Sequence, residues 1–344
     1  MKEKCLGFER GIERIYEQVT ELERLSLRGI NYSGEIWSLL EMEKKTLRSL
    51  YFNLSAWNTV QVARCPHRPA MKDYINGMVN DFVEMHGDRQ FEDDRVLIGG
   101  FGMIGKHRAM IIGQYKDRSL KLGSGISEGE VMENSRCYTG CPNPGGFRKA
   151  LRLMKLAEKF GVPILTLIDT PGAYPAIVNG DCGQAQAIAV NLKYMPTCKV
   201  PIVSVIIGEG GSGGALGIGV ANKLAMLKYS YYSVASPEAV AAILWRDGTK
   251  REESAESSKL TARDNLKLKT IEDIIDEPIG GAQRNVERTI YNVKRYVIKK
   301  FDELSKMSVD ELVGQRNEMI KKRASAGRKW GEHFEKKKKI FFRK

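Results

Sequence analysis

An apolar strand that runs into a glycine-rich bend and then into a helix limits this chain more than any other stretch of it. Ile202–Ile207 is apolar throughout apart from Ser204 and has strand length. Gly208-Glu209-Gly210-Gly211-Ser212-Gly213-Gly214 follows, and Ala215 to about Val220 reads as helix. Backbone without side chains lets N–H groups come close to a ligand, and a helix start adds partial positive charge. Such a bend suits a phosphate or an oxygen that becomes negative during a reaction. A Walker A loop is excluded, because no Gly-Lys-Ser/Thr closes it. Gly208-x-Gly210-x-x-Gly213 matches a dinucleotide fingerprint formally. The acid that should end the next strand is missing from Lys228–Val234. Two readings remain open on the residues alone. One is an oxyanion hole for an acyl thioester or a urea-type carbonyl. The other is close helix–strand packing with no ligand.

A second strand–turn–helix unit precedes the first. Ile164–Ile168 leads into Asp169-Thr170-Pro171-Gly172-Ala173-Tyr174-Pro175, and a helix follows over Gln184–Met195. Upstream, Val96–Phe101 and Ala109–Ile112 read as strands joined at Gly105-Lys106. Asp117–Gly140 is polar and glycine-bearing and reads as a mobile loop. Phe147–Phe160 reads as a helix, with Phe147, Leu151, Met154 and Leu156 inward. Arg148, Lys149, Arg152, Lys155 and Glu158 face outward, and Gly161 ends it. Ser236-Pro237-Glu238 has the residues of a helix start. The N-terminus reads as a helical hairpin. Phe8, Ile12, Ile15, Val19 and Leu22 form one seam, and Ile36, Leu40, Leu47, Leu50 and Leu54 the other, with a break at Asn31–Gly34. Cys65–Pro69 reads as a linker, and the chain beyond Arg284 as helix to its end. The expected organisation is a hairpin over 1–70, an α/β core over 71–283 and a basic helical extension over 284–344.

Composition excludes disorder and a disulfide scaffold: 42% of residues are hydrophobic, 28% charged, and cysteines number six in 344. Cys137 and Cys141 supply half a zinc site without a second half, so no metal is expected. No apolar run approaches the ~20 residues of a membrane helix, and the N-terminus has no signal-peptide core. The expected setting is the cytoplasm. The net charge is +13, and 19 Lys and Arg against 8 Asp and Glu lie from Arg284 onward. The favoured reading of that tail is a solvated helix. Its interleaved aromatics keep a grip on nucleic acid open. His67, His86, His107 and His333 are scattered, and no Gly-x-Ser-x-Gly is present, so no nucleophile–base set is visible. Asp169 and Glu209 end their strands and are candidate acids.

The two glycine-bearing turns, with Tyr232-Ser233-Val234-x-Ser236-Pro237-Glu238, resemble the alpha subunit of the carboxyltransferase of multisubunit acetyl-CoA carboxylase. Ala63-Arg64-x-Pro66-x-Arg68-Pro69, Phe147–Met154, Ala242–Trp245 and Glu277-Pro278-x-Gly280-Gly281-Ala282 extend the resemblance, in order, to about residue 325. It implies a crotonase-like (ClpP/crotonase) core of repeated ββα units. It implies carboxyl transfer from carboxybiotin to acetyl-CoA, giving malonyl-CoA for fatty acid synthesis. No covalently bound cofactor is implied. The implied partners are a zinc-ribbon beta subunit, a biotin carboxyl carrier protein and biotin carboxylase, in an alpha2beta2 assembly. Carried over by position, the N–H groups of Gly213 and Gly214 face the biotin ureido oxygen, and Gly172, Ala173, Gly210 and Gly211 line the biotin site. The chain departs from the family at Ala176–Cys182, Ala239-Val240, Gln114–Arg118 and Gly281-Ala282-Gln283. A non-catalytic scaffold of the same complex is the alternative expectation.

Overall fold

The structure, a computed structural model, describes residues 6–91, 93–117, 128–175 and 183–341, with backbone alone over 128–133 and 326–341. Helices α1 (Arg10–Ser26), α2 (Ser33–Phe52), α3 (Ala56–Ala63) and α4 (Met71–Met78) come first. Strands β1 (Asn80–Glu84), β2 (Leu97–Ile104) and β3 (His107–Gln114) follow, then α5 (Glu128–Thr139), α6 (Pro144–Lys159), β4 (Ile164–Thr170) and α7 (Gln184–Tyr194). The chain continues through β5 (Ile202–Gly211), α8 (Ser212–Leu216), β6 (Lys223–Leu227), β7 (Tyr231–Ser233), α9 (Pro237–Trp245), α10 (Arg251–Ser257) and α11 (Ala262–Lys267). It ends with β8 (Asp273–Ile275), α12 (Val286–Leu304) and α13 (Val309–Phe341).

The strands form one sheet in the order β1-β2-β3-β4-β5-β6-β8, with β7 beside the end of β5. β1, β2 and β3 are antiparallel neighbours, and from β3 onward the pairs are parallel. Parallel strands need both faces covered, which is why β4 and β5 are buried along their whole length. Side chains alternate between two cores. Leu165, Leu167, Val203 and Val205 join one core with α4 and α12. Ile164, Ile168, Ile202 and Ile206 join the other with α6. Among the described residues no helix is long and apolar enough to cross a membrane.

Several local expectations change. Part of the polar stretch Asp117–Gly140 is helix α5; 118–127 lie outside the described residues, as do 176–182. Along α6 the inward stripe is Phe147, Ala150, Leu153, Met154 and Ala157, while Leu151 and Leu156 are half-buried. Lys149 points inward, fully buried, because Asp93 pairs with it and the Asp94 carbonyl accepts from it at 2.8 Å. The strand expected to stop at Ile207 runs to Gly211. The helix beyond Arg284 breaks at 305–308, where Ser308 and Glu311 cap each other's backbone N–H. The Cys65–Pro69 stretch is fastened to the core: buried Arg68 donates to the Ile207 carbonyl at 2.7 Å and pairs with Glu277 at 2.8 Å.

Candidate active site

β4 and β5 run parallel in adjacent positions, with Ile168 opposite Ile206 and Thr170 opposite Gly210. Their C-terminal turns therefore leave the sheet side by side, the place where α/β folds put their sites. The Thr170 hydroxyl donates to the Gly172 carbonyl at 2.7 Å and accepts from the Gly172 N–H at 3.1 Å, which shapes the first turn. The second turn is made by Ser212, a non-glycine residue at φ +51°. That left-handed conformation is unfavourable for a side chain and is common where function needs a sharp bend.

The two turns touch backbone to backbone. A Cβ at Gly214 would lie 2.5 Å from the Gly172 carbonyl carbon and 2.6 Å from the Ala173 nitrogen. A Cβ at Gly211 would lie inside the Pro171 peptide. Gly213 is half-buried and opens onto a cavity of about 570 Å³, walled by Leu216, Tyr232, Val240 and Leu244. Gly213 and Gly214 occupy the first turn of α8, where backbone N–H groups have no intrahelical acceptor. Gly172 and Ala173 are half-buried against them. Gly210 and Gly211 differ from expectation. Both are buried strand residues, and a Cβ on Gly210 would meet the Tyr232 ring at 2.9 Å. They permit close approach of neighbouring elements and do not line the cavity.

Beneath the turns lies a buried chain of charges. Lys116, just past β3, places its ammonium 2.6 Å from Asp169 and 2.6 Å from Glu209. Arg64, at the end of α3, pairs with Glu209 at 2.8 Å and with Glu238 at 2.6 Å. The Tyr231 hydroxyl donates to Glu209 at 2.6 Å. Burial would push the Glu209 carboxyl up; Lys116 and Arg64, with hydrogen bonds from Lys116 and Tyr231, hold it down at about 2. A carboxylate held ionised in this way is no proton donor at neutral pH, which removes Glu209 as a candidate acid. Asp169 is committed to Lys116 and to the Glu209 N–H at 2.9 Å. Gln114 accepts from the Asp169 N–H at 3.1 Å and donates to the Gly214 carbonyl at 2.8 Å, which ties the turns from below. Sequence reading named neither Gln114 nor Lys116 as a functional residue. The available signal was two polar residues in step at the end of a buried strand.

His86 is held by Asp93 and His107 by Asp302, and neither lines the cavity. Among the described residues no group of three or more His, Cys, Asp or Glu could hold a metal. Cys137 and Cys141 are not joined in a disulfide. The arrangement therefore offers backbone donors beside a mainly apolar cavity, whose lining among the described residues includes Lys259 but no histidine or carboxylate.

A family model described as "Acetyl co-enzyme A carboxylase carboxyltransferase-like" matches residues 5–324. The chain belongs to that family. A relative from Fusobacterium nucleatum, "Acetyl-coenzyme A carboxylase carboxyl transferase subunit alpha", is 45% identical over 92% of this chain and 98% of its own. A relative of the same description from Rhodopirellula baltica is 41% identical over 92% and 96%. Among solved structures, transcarboxylase 12S superposes with a TM-score of 0.53 at 16% identity, over 70% of this chain and 42% of that one. A Pseudomonas malonate decarboxylase hetero-tetramer gives 0.52 at 15%, over 71% and 92%. These likenesses bear on the fold, which is the crotonase-like α/β fold expected of this carboxyltransferase family.

Proposed function

We propose that this chain is the alpha subunit of the carboxyltransferase of acetyl-CoA carboxylase, a carboxyl-transfer enzyme that works with a beta subunit. The observation that carries the reading is the backbone seat of Gly213 and Gly214, in which Gly214 is pressed against Gly172 and Ala173 while Gly213 opens onto the cavity. Carboxybiotin, presented by a carrier protein, supplies the carboxyl group, and its ureido nitrogen can accept the proton lost by acetyl-CoA. The fit is chemical: glycine amides suit a ureido oxygen, and Leu216, Val240 and Leu244 suit an uncharged ring. Donors fixed in place cost no reorganisation when the oxygen becomes negative. Gly213 and Gly214 hold that oxygen; Gly172 and Ala173, packed against Gly214, complete the biotin site. Among the described residues no histidine or carboxylate lines the cavity, which agrees with a substrate that brings its own base.

A band of exposed apolar side chains borders the cavity: Val234 is 86% exposed, Ile243 73% and Leu244 61%. Exposed apolar groups of this kind mark interaction surfaces, and the beta subunit, of zinc-ribbon type, covers them in an alpha2beta2 assembly. Biotin carboxylase recharges the carrier, and the setting is the cytoplasm.

The test is to co-purify the chain with its beta subunit and measure malonyl-CoA from acetyl-CoA and the carboxylated carrier. The wild-type complex forms product. Gly213→Val sets a branched side chain on the donor-bearing turn, toward Ile188, and by displacing the donor lowers kcat by roughly 10²–10³-fold, the worth of one oxyanion donor. An unchanged rate would make the chain a scaffold.

A further inference from the structure

We propose that Lys116 is a positioning residue for carboxyl transfer: its ammonium clamps the ends of β4 and β5, so that the turn at 171–173 backs the turn at 212–214 and holds the Gly213 and Gly214 amides toward the cleft. This inference rests on the function proposed above. Lys116 joins two strand ends that backbone hydrogen bonding leaves irregular, since the β4–β5 register shifts between Ile168 and Thr170. Its side chain is 2% exposed, and both acceptors are buried. Asp169 lies two residues before Pro171, and Glu209 three before Ser212, so holding the carboxylates together holds the feet of both turns. Gly140 closes the pair from above. At φ +78°, a Cβ there would come within 2.7 Å of the Lys116 chain and 2.9 Å of the Asp169 carbonyl.

Charge gives Lys116 a second effect. Glu209 is faced by Lys116 from beyond β3, Arg64 from α3, Asp169 from β4 and the Tyr231 phenol from β7. The Cys141 thiol lies within electrostatic reach. Glu238 of α9 reaches Glu209 through Arg64. Arg68 and Tyr74 face Asp169 from the other side. Immediately under the turns, two cations oppose three carboxylates. Without Lys116, Arg64 is left with Glu209 and Glu238, Arg68 stays paired with Glu277, and a surplus of negative charge sits below an oxygen that must itself become negative. Removing one partner of a buried pair leaves its charge uncompensated, and Glu209 then takes up a proton at higher pH.

The experiment uses the full complex with Lys116→Met. The expected kcat for malonyl-CoA falls about a hundredfold, with KM for acetyl-CoA within about threefold. Residual activity falls as pH rises, through an inflection the wild type lacks. A Glu209 carboxyl that keeps its proton can hydrogen-bond to Asp169, whereas two ionised groups push the strand ends apart. Lys116→Met with Glu209→Gln removes the inflection and recovers about tenfold. In the free chain, amides of 208–216 exchange faster in Lys116→Met than in wild type. A Lys116→Met protein with wild-type kcat and exchange overturns the proposal. So does a loss that is equal at every pH and unrescued by the double variant, since a role in folding alone gives that result. If Lys116→Met does not fold, Lys116→Arg decides: it keeps the charge and should retain the wild-type pH profile, and a new inflection there overturns the clamp. A wild-type complex that makes no malonyl-CoA defeats the function proposed above, while the exchange comparison still tests the clamp.

Discussion

Gly213 and Gly214 are neighbours in the chain, yet a methyl group would be received differently at each. At Gly213 it would meet only the Ile188 side chain at 3.5 Å, an ordinary contact. At Gly214 it would press on the Gly172–Ala173 backbone, which cannot step aside without moving the first turn. Gly213→Ala is therefore expected to leave stability unchanged. Gly214→Ala should cost about 1–3 kcal/mol, the usual range for overpacking, read by denaturant unfolding of the two variants. Spacing marked all five glycines of 208–214 alike. The sequence could not say that 208, 210 and 211 serve packing, because that depends on Asp169, Tyr232 and Pro171 arriving from elsewhere.

At the scale of elements, α6 shows how far periodicity carries. The helix and its closing glycine at φ +64° were legible, and the stripe was shifted only partway along. Lys149 was misplaced because a buried charge becomes acceptable only when a partner such as Asp93 is supplied, 56 positions away in the chain. Phe147 anchors the element: it is fully buried, its ring fills the space beside Gly217, and its carbonyl accepts from Asn191 at 3.0 Å. Phe147→Ala should destabilise the chain by about 3–5 kcal/mol, measured as a lower denaturant midpoint with the fold retained. The break between α12 and α13 had a local signal, Ser308-x-x-Glu311, hidden inside an amphipathic run that continued on both sides.

Across the whole molecule, the N-terminal helices are fastened to the C-terminal half by a few buried polar groups. Glu9 is fully buried, accepts from Tyr51 at 2.8 Å and pairs with Arg284 at 3.0 Å. Arg284→Leu strands that carboxylate and should cost about 3–5 kcal/mol. Limited proteolysis should then cut within residues 6–52 before the sheet is touched, and an unchanged cleavage pattern would refute this tie. The α/β class, the paired strand–turn–helix units and the glycine bend were written in the sequence, because apolar runs, breakers and caps act over a few residues. Which amides open to the cavity, and which charges lie beneath them, was decided by the tertiary structure. Lys116 meets Glu209 across 93 positions, and no local pattern encodes a contact that exists only after the strands have been laid side by side.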